Sequence, residues 1–277
     1  MENNYTLFEV QKQIDVKGAV SIIDAWRGEN FSFDGESHDF WEMVCVADGN
    51  AGITADDRLY TLSAGDTVFH KPMEFHKIRS LGGQKLHIYI LSFAAYGEGM
   101  KKFEKKTLSL NRENMSVLEG LIRTGGNAFE LNEGGIICGV KNKNTAQEYF
   151  NRLELFLLGL GRQASLPSRN DADSRLFASI ISVLENNLCG TVTLDGVAKE
   201  CCISPSKLKK LFKCCTGIGL IEYFTRMKMN KAAELLSDGK SVKDTSDALG
   251  FSNQFYFSRV FSKQFGMPPS KFCKNQL

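Results

Sequence analysis

A chain of 277 residues with 43% apolar and 24% charged side chains is long enough to bury two cores and too apolar to stay disordered. No apolar run approaches the roughly 18 residues of a membrane span. The N-terminus, MENNYTLFEVQKQID, is polar and acidic where a secretory signal would be basic and then apolar, so a cytoplasmic protein without a membrane partner is expected. The net charge of +2 conceals an asymmetry, because residues 190–277 hold 14 Lys or Arg against 7 Asp or Glu while residues 1–189 hold 20 against 25. A positive C-terminal third points toward a polyanion. The eight cysteines include the adjacent pairs Cys201-Cys202 and Cys214-Cys215, with no CxxC and no zinc-finger spacing, so reduced thiols and no cofactor are expected.

Residues 1 to about 97 read as β-rich. Val20–Trp26, Phe40–Val46, Gly52–Leu62, Asp66–Phe69 and Lys85–Phe93 are short runs of Val, Ile, Phe and Tyr separated by Gly, Asp and Asn. Such spacing predicts a sandwich or barrel, a jelly roll being one way to manage strand edges. Within it, Glu36-Ser-His38-Asp-Phe-Trp41-Glu42, followed by six residues and Gly49, resembles the first cupin motif. Gly65-Asp66 with Pro72 and His76 resembles the second.

The cupin resemblance implies a pocket in which Glu36, His38, Trp41, Glu42 and His76 contact a ligand, with Phe69 and Phe75 as further pocket or core aromatics. Two imidazoles and two carboxylates (Glu36, His38, Glu42, His76) would suffice for Fe, Mn or Zn. However, Glu36 stands where a metal-binding cupin normally has His, and Ser80 stands where Asn is usual. The expectation is a ligand-contacting or structural role without metal, and no catalytic residue.

Residues Gly99 to about Leu131 turn mostly helical, with Gly125-Gly126 and Gly134-Gly135 read as breaks. Asn144–Arg162 is an amphipathic helix in which Tyr149, Leu153, Phe156, Leu157 and Leu160 form one stripe, widened by Phe150, Leu155 and Leu158. A stripe that broad predicts burial on two sides, one of them against a second subunit. Gln163–Asp173 is polar, contains Pro and lacks periodicity, as a linker would. Helical spacing resumes at Ser174–Asn187, and Thr193 can cap the helix after it.

The last third contains a repeat. Val197, Ala198, Cys202 and Ser204 match Thr245, Ser246, Gly250 and Ser252 at an offset of 48, and Leu208, Leu211, Phe212 and Gly217 match Phe257, Val260, Phe261 and Gly266 at an offset of 49. Each copy reads as helix, tight turn, helix: about 194–213 and about 241–264, with Ser252 as the expected cap in the second. The apolar positions leave Ser206, Lys207, Lys209, Lys210 and Lys213 outside in the first copy, and Asn253, Gln254, Phe255, Ser258 and Arg259 in the second. Between them, about 218–237 form a helix of roughly 28 Å, close to one B-DNA turn of roughly 34 Å, so two reading helices could enter successive major grooves. On that helix Arg226, Lys228 and Lys231 are expected near phosphate.

The run GFSNQFYFSRVFSKQFGMPPSKF, with Ser204–Phe212 and Tyr223–Leu236 before it, resembles the AraC/XylS-type transcription regulators over about 100 residues. That resemblance places the family's base-reading positions on Ser206, Lys209, Lys210, Gln254, Phe255, Ser258 and Arg259. Two departures stand out: Cys202 where the first turn usually has Gly, and Cys273 in place of a basic residue. The expected architecture is α+β: a cupin-like effector-binding and dimerisation domain (1–162), a linker (163–173) and an all-α DNA-binding domain (174–277). The expected function is a sequence-specific regulator acting on double-stranded DNA as a homodimer. Its effector would be a small molecule, a sugar or another metabolite, and it would contact RNA polymerase. The alternative is a metal-dependent cupin enzyme fused to a helical domain.

Overall fold

The computed structural model describes residues 8, 10–163 and 172–272. Of the expected linker, residues 164–171 lie outside the described residues, as does Cys273. The β-rich half opens with β1 (Asp15–Arg27), β2 (Trp41–Asp48), β3 (Asn50–Ala55) and β4 (Arg58–Ser63). It continues through β5 (Asp66–His70), β6 (His76–Ser80), β7 (Leu86–Tyr96) and the short β8 (Thr107–Ser109). These strands form two antiparallel sheets, β1-β7-β2-β5-β8 and β4-β3-β6.

Period-2 alternation explains why the larger sheet is buried on both faces. Val44 and Val46 of β2 and Ile88 and Ile90 of β7 face the smaller sheet, packing with Ile53, Leu62 and Ile78. Their neighbours Met43, Cys45, Leu91 and Phe93 face the other way, onto helices α1 (Arg112–Ala128) and α2 (Lys143–Leu160). A minor hairpin, β9 (Phe129–Leu131) and β10 (Ile137–Val140), joins these helices.

Two expectations need correction here, and one strand was not foreseen. The apolar run Gly52–Leu62 is two strands, β3 and β4, turned at Asp56, whose φ is 40°. β6 was missed because His-Lys-Ile-Arg-Ser carries almost no apolar alternation. Gly125 is no break; it lies inside α1, buried where a side chain would run into Ile22 and the Tyr149 ring.

The helical half runs through α3 (Ala172–Asn186), α4 (Leu194–Glu200), α5 (Pro205–Thr216), α6 (Leu220–Ser237), α7 (Val242–Ala248), α8 (Gln254–Phe265) and α9 (Pro269–Phe272). Two small cores sit at its ends. Phe177, Ile181, Leu184, Leu208 and Phe212 fill the first; Met229, Leu236, Leu249, Phe257 and Phe261 fill the second. Each buried phenylalanine contributes roughly 1.5–3 kcal/mol, so Phe212, Phe257 and Phe261 fix the tilt of α5 and α8. The helix α6 belongs to both cores through Leu220 and Tyr223 at one end and Met229 and Leu236 at the other.

The two halves dock. Phe75, in the loop before β6, and half-buried Leu59 of β4 belong to the first helical core rather than to the β core. Phe75 meets Tyr223 edge to face at 5.9 Å, and Tyr223 Oη donates to the Asp56 carbonyl at 2.5 Å. Thr54 Oγ1 donates to the Cys215 carbonyl at 2.5 Å.

Candidate functional site

The helix-turn-helix copies are built alike. In the first, Ser204 Oγ accepts from Lys207 N at 3.2 Å, Pro205 opens α5, and Gly217 at φ 76° closes it. In the second, Asn253 Oδ1 accepts from Phe255 N at 2.8 Å and Tyr256 N at 3.1 Å, and Gly266 at φ 70° closes α8. The cap is therefore Asn253 and not the expected Ser252, because the second turn holds one more residue. At the turns themselves, Gly250 has φ 69° and Cys202 has φ 55°, so the cysteine adopts the left-handed conformation that its glycine counterpart takes without strain. A side chain on Gly250 would also run into the Cys189 carbonyl.

With Leu208, Phe212, Phe257 and Phe261 turned inward, α5 exposes Ser206, Lys207, Lys209, Lys210 and Lys213. On α8, Gln254, Phe255 and Arg259 are exposed and Ser258 is half-buried. Phe255 is 88% exposed, unusual for a phenylalanine that could have packed. Among the described residues, none of Lys207, Lys209, Lys210, Lys213 and Arg259 makes an ion pair, whereas Arg226 and Lys231 do. Arg259 borders a cleft between the halves, lined also by Ser37, Met73, Glu222 and Arg226.

The β-rich half holds a second polar site, a cavity of about 140 Å³ between its sheets, walled by Phe31, Val44, Ile78 and Ile90. Its polar lining is Glu36, Glu42, His70 and His76 together with Arg27 and Lys77. Burial would raise the Glu42 carboxyl, but His38 and His76 outweigh it and hold it well below the usual carboxylate range. Burial keeps His70 neutral, and its Nδ1 lies 3.0 Å from Glu74 Oε2.

A family model described as a helix-turn-helix domain matches residues 197–275, and one described as an AraC-like ligand binding domain matches residues 19–101. Together they span more than half of the chain. This chain belongs to the AraC family of transcriptional regulators. Among curated relatives, it is 23% identical to the transcriptional activator RhaR of Mannheimia succiniciproducens over 246 residues, 85% of each chain. It is 27% identical to the regulator YfiF of Bacillus subtilis over 254 residues, 85% of this chain and 77% of that one. Among solved structures, fatty-acid-bound ToxT of Vibrio cholerae aligns at 14% identity and a TM-score of 0.38, over 94% of this chain and 96% of that one.

In this AraC-family protein the structure moves several expected residues out of their roles. Lys228 is 6% exposed and donates through Nζ to the Gly190 carbonyl at 2.5 Å and the Leu249 carbonyl at 2.7 Å, so it ties the two units together and touches no phosphate. Arg226 pairs with Glu222 at 3.1 Å and lies 5.7 Å from the Phe75 ring, turned toward the β-rich half. Asn253 has its acceptor committed to the cap, which removes bidentate pairing with adenine.

Trp41 packs on the helix side of its sheet, one strand position out of phase with the cavity-lining Glu42, and so is not a pocket residue. Phe69 packs with it. Sequence reasoning missed Asp56, Thr54 and Tyr223 at the docking surface. Tyr223 lay within the stretch 223–236 that carries the family resemblance, but nothing in its spacing assigned it to a surface between the halves.

Proposed function

We propose that this regulator reads DNA with the exposed faces of α5 and α8, Ser206, Lys209 and Lys210 on one and Gln254, Phe255, Ser258 and Arg259 on the other. Lys207 and Lys213 then anchor phosphates. The observation that carries this reading is the contrast in pairing: among the described residues the basic groups on these two faces are exposed without carboxylate partners, while those on α6 are paired or buried. Arginine or lysine suits guanine, glutamine suits adenine, and an exposed phenyl ring suits a thymine methyl group. Arg259→Ala should weaken specific binding by about 1–3 kcal/mol and relax one base position. The check is binding to a selected site and to random duplex, and equal losses on both would remove Arg259 from the base-reading set.

The unit boundaries proposed are 1–162 for effector binding and dimerisation, 163–173 for the tether and 174–277 for the reader. A small molecule in the cavity between the sheets, preferring one arrangement of sensor against reader, would shift the population toward it and change DNA affinity or contact with RNA polymerase. The docked surface around Phe75 and Tyr223 supports this, since the sensor holds α6 and hence both reading units.

The homodimer is proposed on a narrower basis than the sequence suggested. Tyr149, Leu153, Phe156, Leu157 and Leu160 are all consumed by the chain's own core. What remains is Leu155, 69% exposed, beside a groove with Val117 between α1 and α2. Leu155→Glu should raise the dimer dissociation constant at least about tenfold, a cost of roughly 1.4 kcal/mol. Sedimentation would measure it, and an unchanged constant would place the interface elsewhere.

A further inference from the structure

The buried polar cluster of the β-rich half has a geometry that hydrogen bonding alone does not explain. His38 and His76 each set Nδ1 against a main-chain carbonyl, that of Phe40 at 3.0 Å and that of Glu74 at 3.1 Å. A carbonyl only accepts, so each Nδ1 carries a proton and each Nε2 is the atom turned into the cluster, offering a proton to Glu42 when the ring is charged and its lone pair to an ion when the ring is neutral. Both Nε2 atoms are buried without a hydrogen-bond partner.

What they face is a carboxylate. His38 Nε2 lies 3.6 Å and His76 Nε2 3.4 Å from the two oxygens of Glu42, and Glu36 Oε1 is 3.9 Å from His76 Nε2. An imidazolium bound directly to a carboxylate would sit at about 2.7–2.9 Å. Two ligand atoms sharing one ion at about 2.1 Å sit roughly 3.0–3.4 Å apart. One ligand atom from each of Glu36, His38, Glu42 and His76 lies within 4.8 Å of all the others.

The surroundings are those of a ligand shell held in place. Ser92 Oγ donates to Glu42 Oε2 at 3.0 Å, Phe40 stacks on His38 at 3.7 Å, and His70 stacks on His76 at 4.4 Å. Outer partners of this kind fix ligand orientation and tautomer. Glu36, with 53% of its side chain exposed, stands at the rim and leaves a way in.

We propose that Glu36, His38, Glu42 and His76 bind one divalent first-row transition ion, whose open positions face the adjoining cavity of about 140 Å³. Two imidazoles and two carboxylates suit Mn(II), Fe(II), Co(II) or Zn(II). The glutamate at 36, which stands where a metal-binding cupin normally has His, supplies the fourth ligand atom and the second oxygen. The site also adjoins the docking surface: Phe75 precedes His76 in the chain, the main chains of Glu36 and His76 bond to each other at 3.0 and 2.9 Å, and Gly217 of the helical half packs against the Asp34 carbonyl. An ion that draws Glu36 inward therefore pulls on the segment that meets the reader.

The assignment needs nothing from the base-reading residues, so its test uses no DNA. The full chain without an affinity tag, stripped with chelator, is titrated with Co(II) and followed by visible absorption, then challenged with Mn(II), anaerobic Fe(II) and Zn(II) and assayed for metal content. One ion per chain with nitrogen and oxygen ligation is expected. Glu42→Gln should lower affinity at least about a hundredfold, with circular dichroism checking its fold. Glu36→Ala, on the rim, should lower it about tenfold in a folded chain. His87→Ala, whose ring pairs with Asp24 away from the cluster, should leave it unchanged. Absence of a stoichiometric ion, affinity unmoved in both glutamate variants, or a thiolate-to-cobalt absorption band pointing to the cysteines would overturn the proposal.

Discussion

Asp56→Asn should make this protein more stable above neutral pH, by about 2–3 kcal/mol after allowing for partial solvent access. Burial, with the charge of Glu74 adding to it, pushes the Asp56 carboxyl from 3.8 up to about 7. Below pH 3.8 the proton is held whether the chain is folded or not, and the native state has its full stability. Between 3.8 and about 7 only the unfolded chain releases it, so stability falls as pH rises and levels off above about 7. Asparagine keeps the oxygen that accepts the Phe75 N–H at 2.9 Å, tolerates the φ of 40° and cannot ionise. Urea unfolding at pH 5 and pH 8 is the measurement. The parent should lose stability across that interval and the variant should lose much less; matching slopes would show that Asp56 is solvated.

Lys228→Met should cost about 2–4 kcal/mol and, in a reader of this size, lower the melting temperature by roughly 10 °C or more. Methionine keeps the aliphatic stem between the rings of Phe224 and Phe251 but leaves the Gly190 and Leu249 carbonyls without their donor. Those carbonyls sit where the loop after α3 meets the turn before α8, the contact that also requires glycine at 250. Loosening it lets α8 swing relative to α5, so affinity for a full site should fall more than affinity for a half site. A melting temperature within a degree of the parent would mean that the ammonium group is dispensable.

The helix-turn-helix repeat was legible because it depends on local rules: apolar spacing, a turn residue at positive φ and a polar cap. Even the misplaced cap followed from one of those rules, since Ser252 and Asn253 both qualify and only the length of the turn decides between them. Lys228 was misread because periodicity gives the direction of a side chain but not what another unit brings to meet it. Trp41 was misread by one strand position, which in a sheet is the difference between the two faces. The polar cluster could be read from spacing as a set of residues, but not the carbonyls that orient its imidazoles. The docking of the two halves was invisible, because Phe75 sits in a loop where no pattern says which core an aromatic will join.

Phe75 has a practical corollary. The helical half completes its first core with a ring supplied by the other half, edge-on to Tyr223, which in turn stands edge-on to Phe212 at 5.1 Å. Expressed by itself, the C-terminal fragment would open a greasy socket to solvent and is a candidate for clumping. Grafting it beneath a foreign sensor should succeed only when the donor loop brings a plug of the same shape.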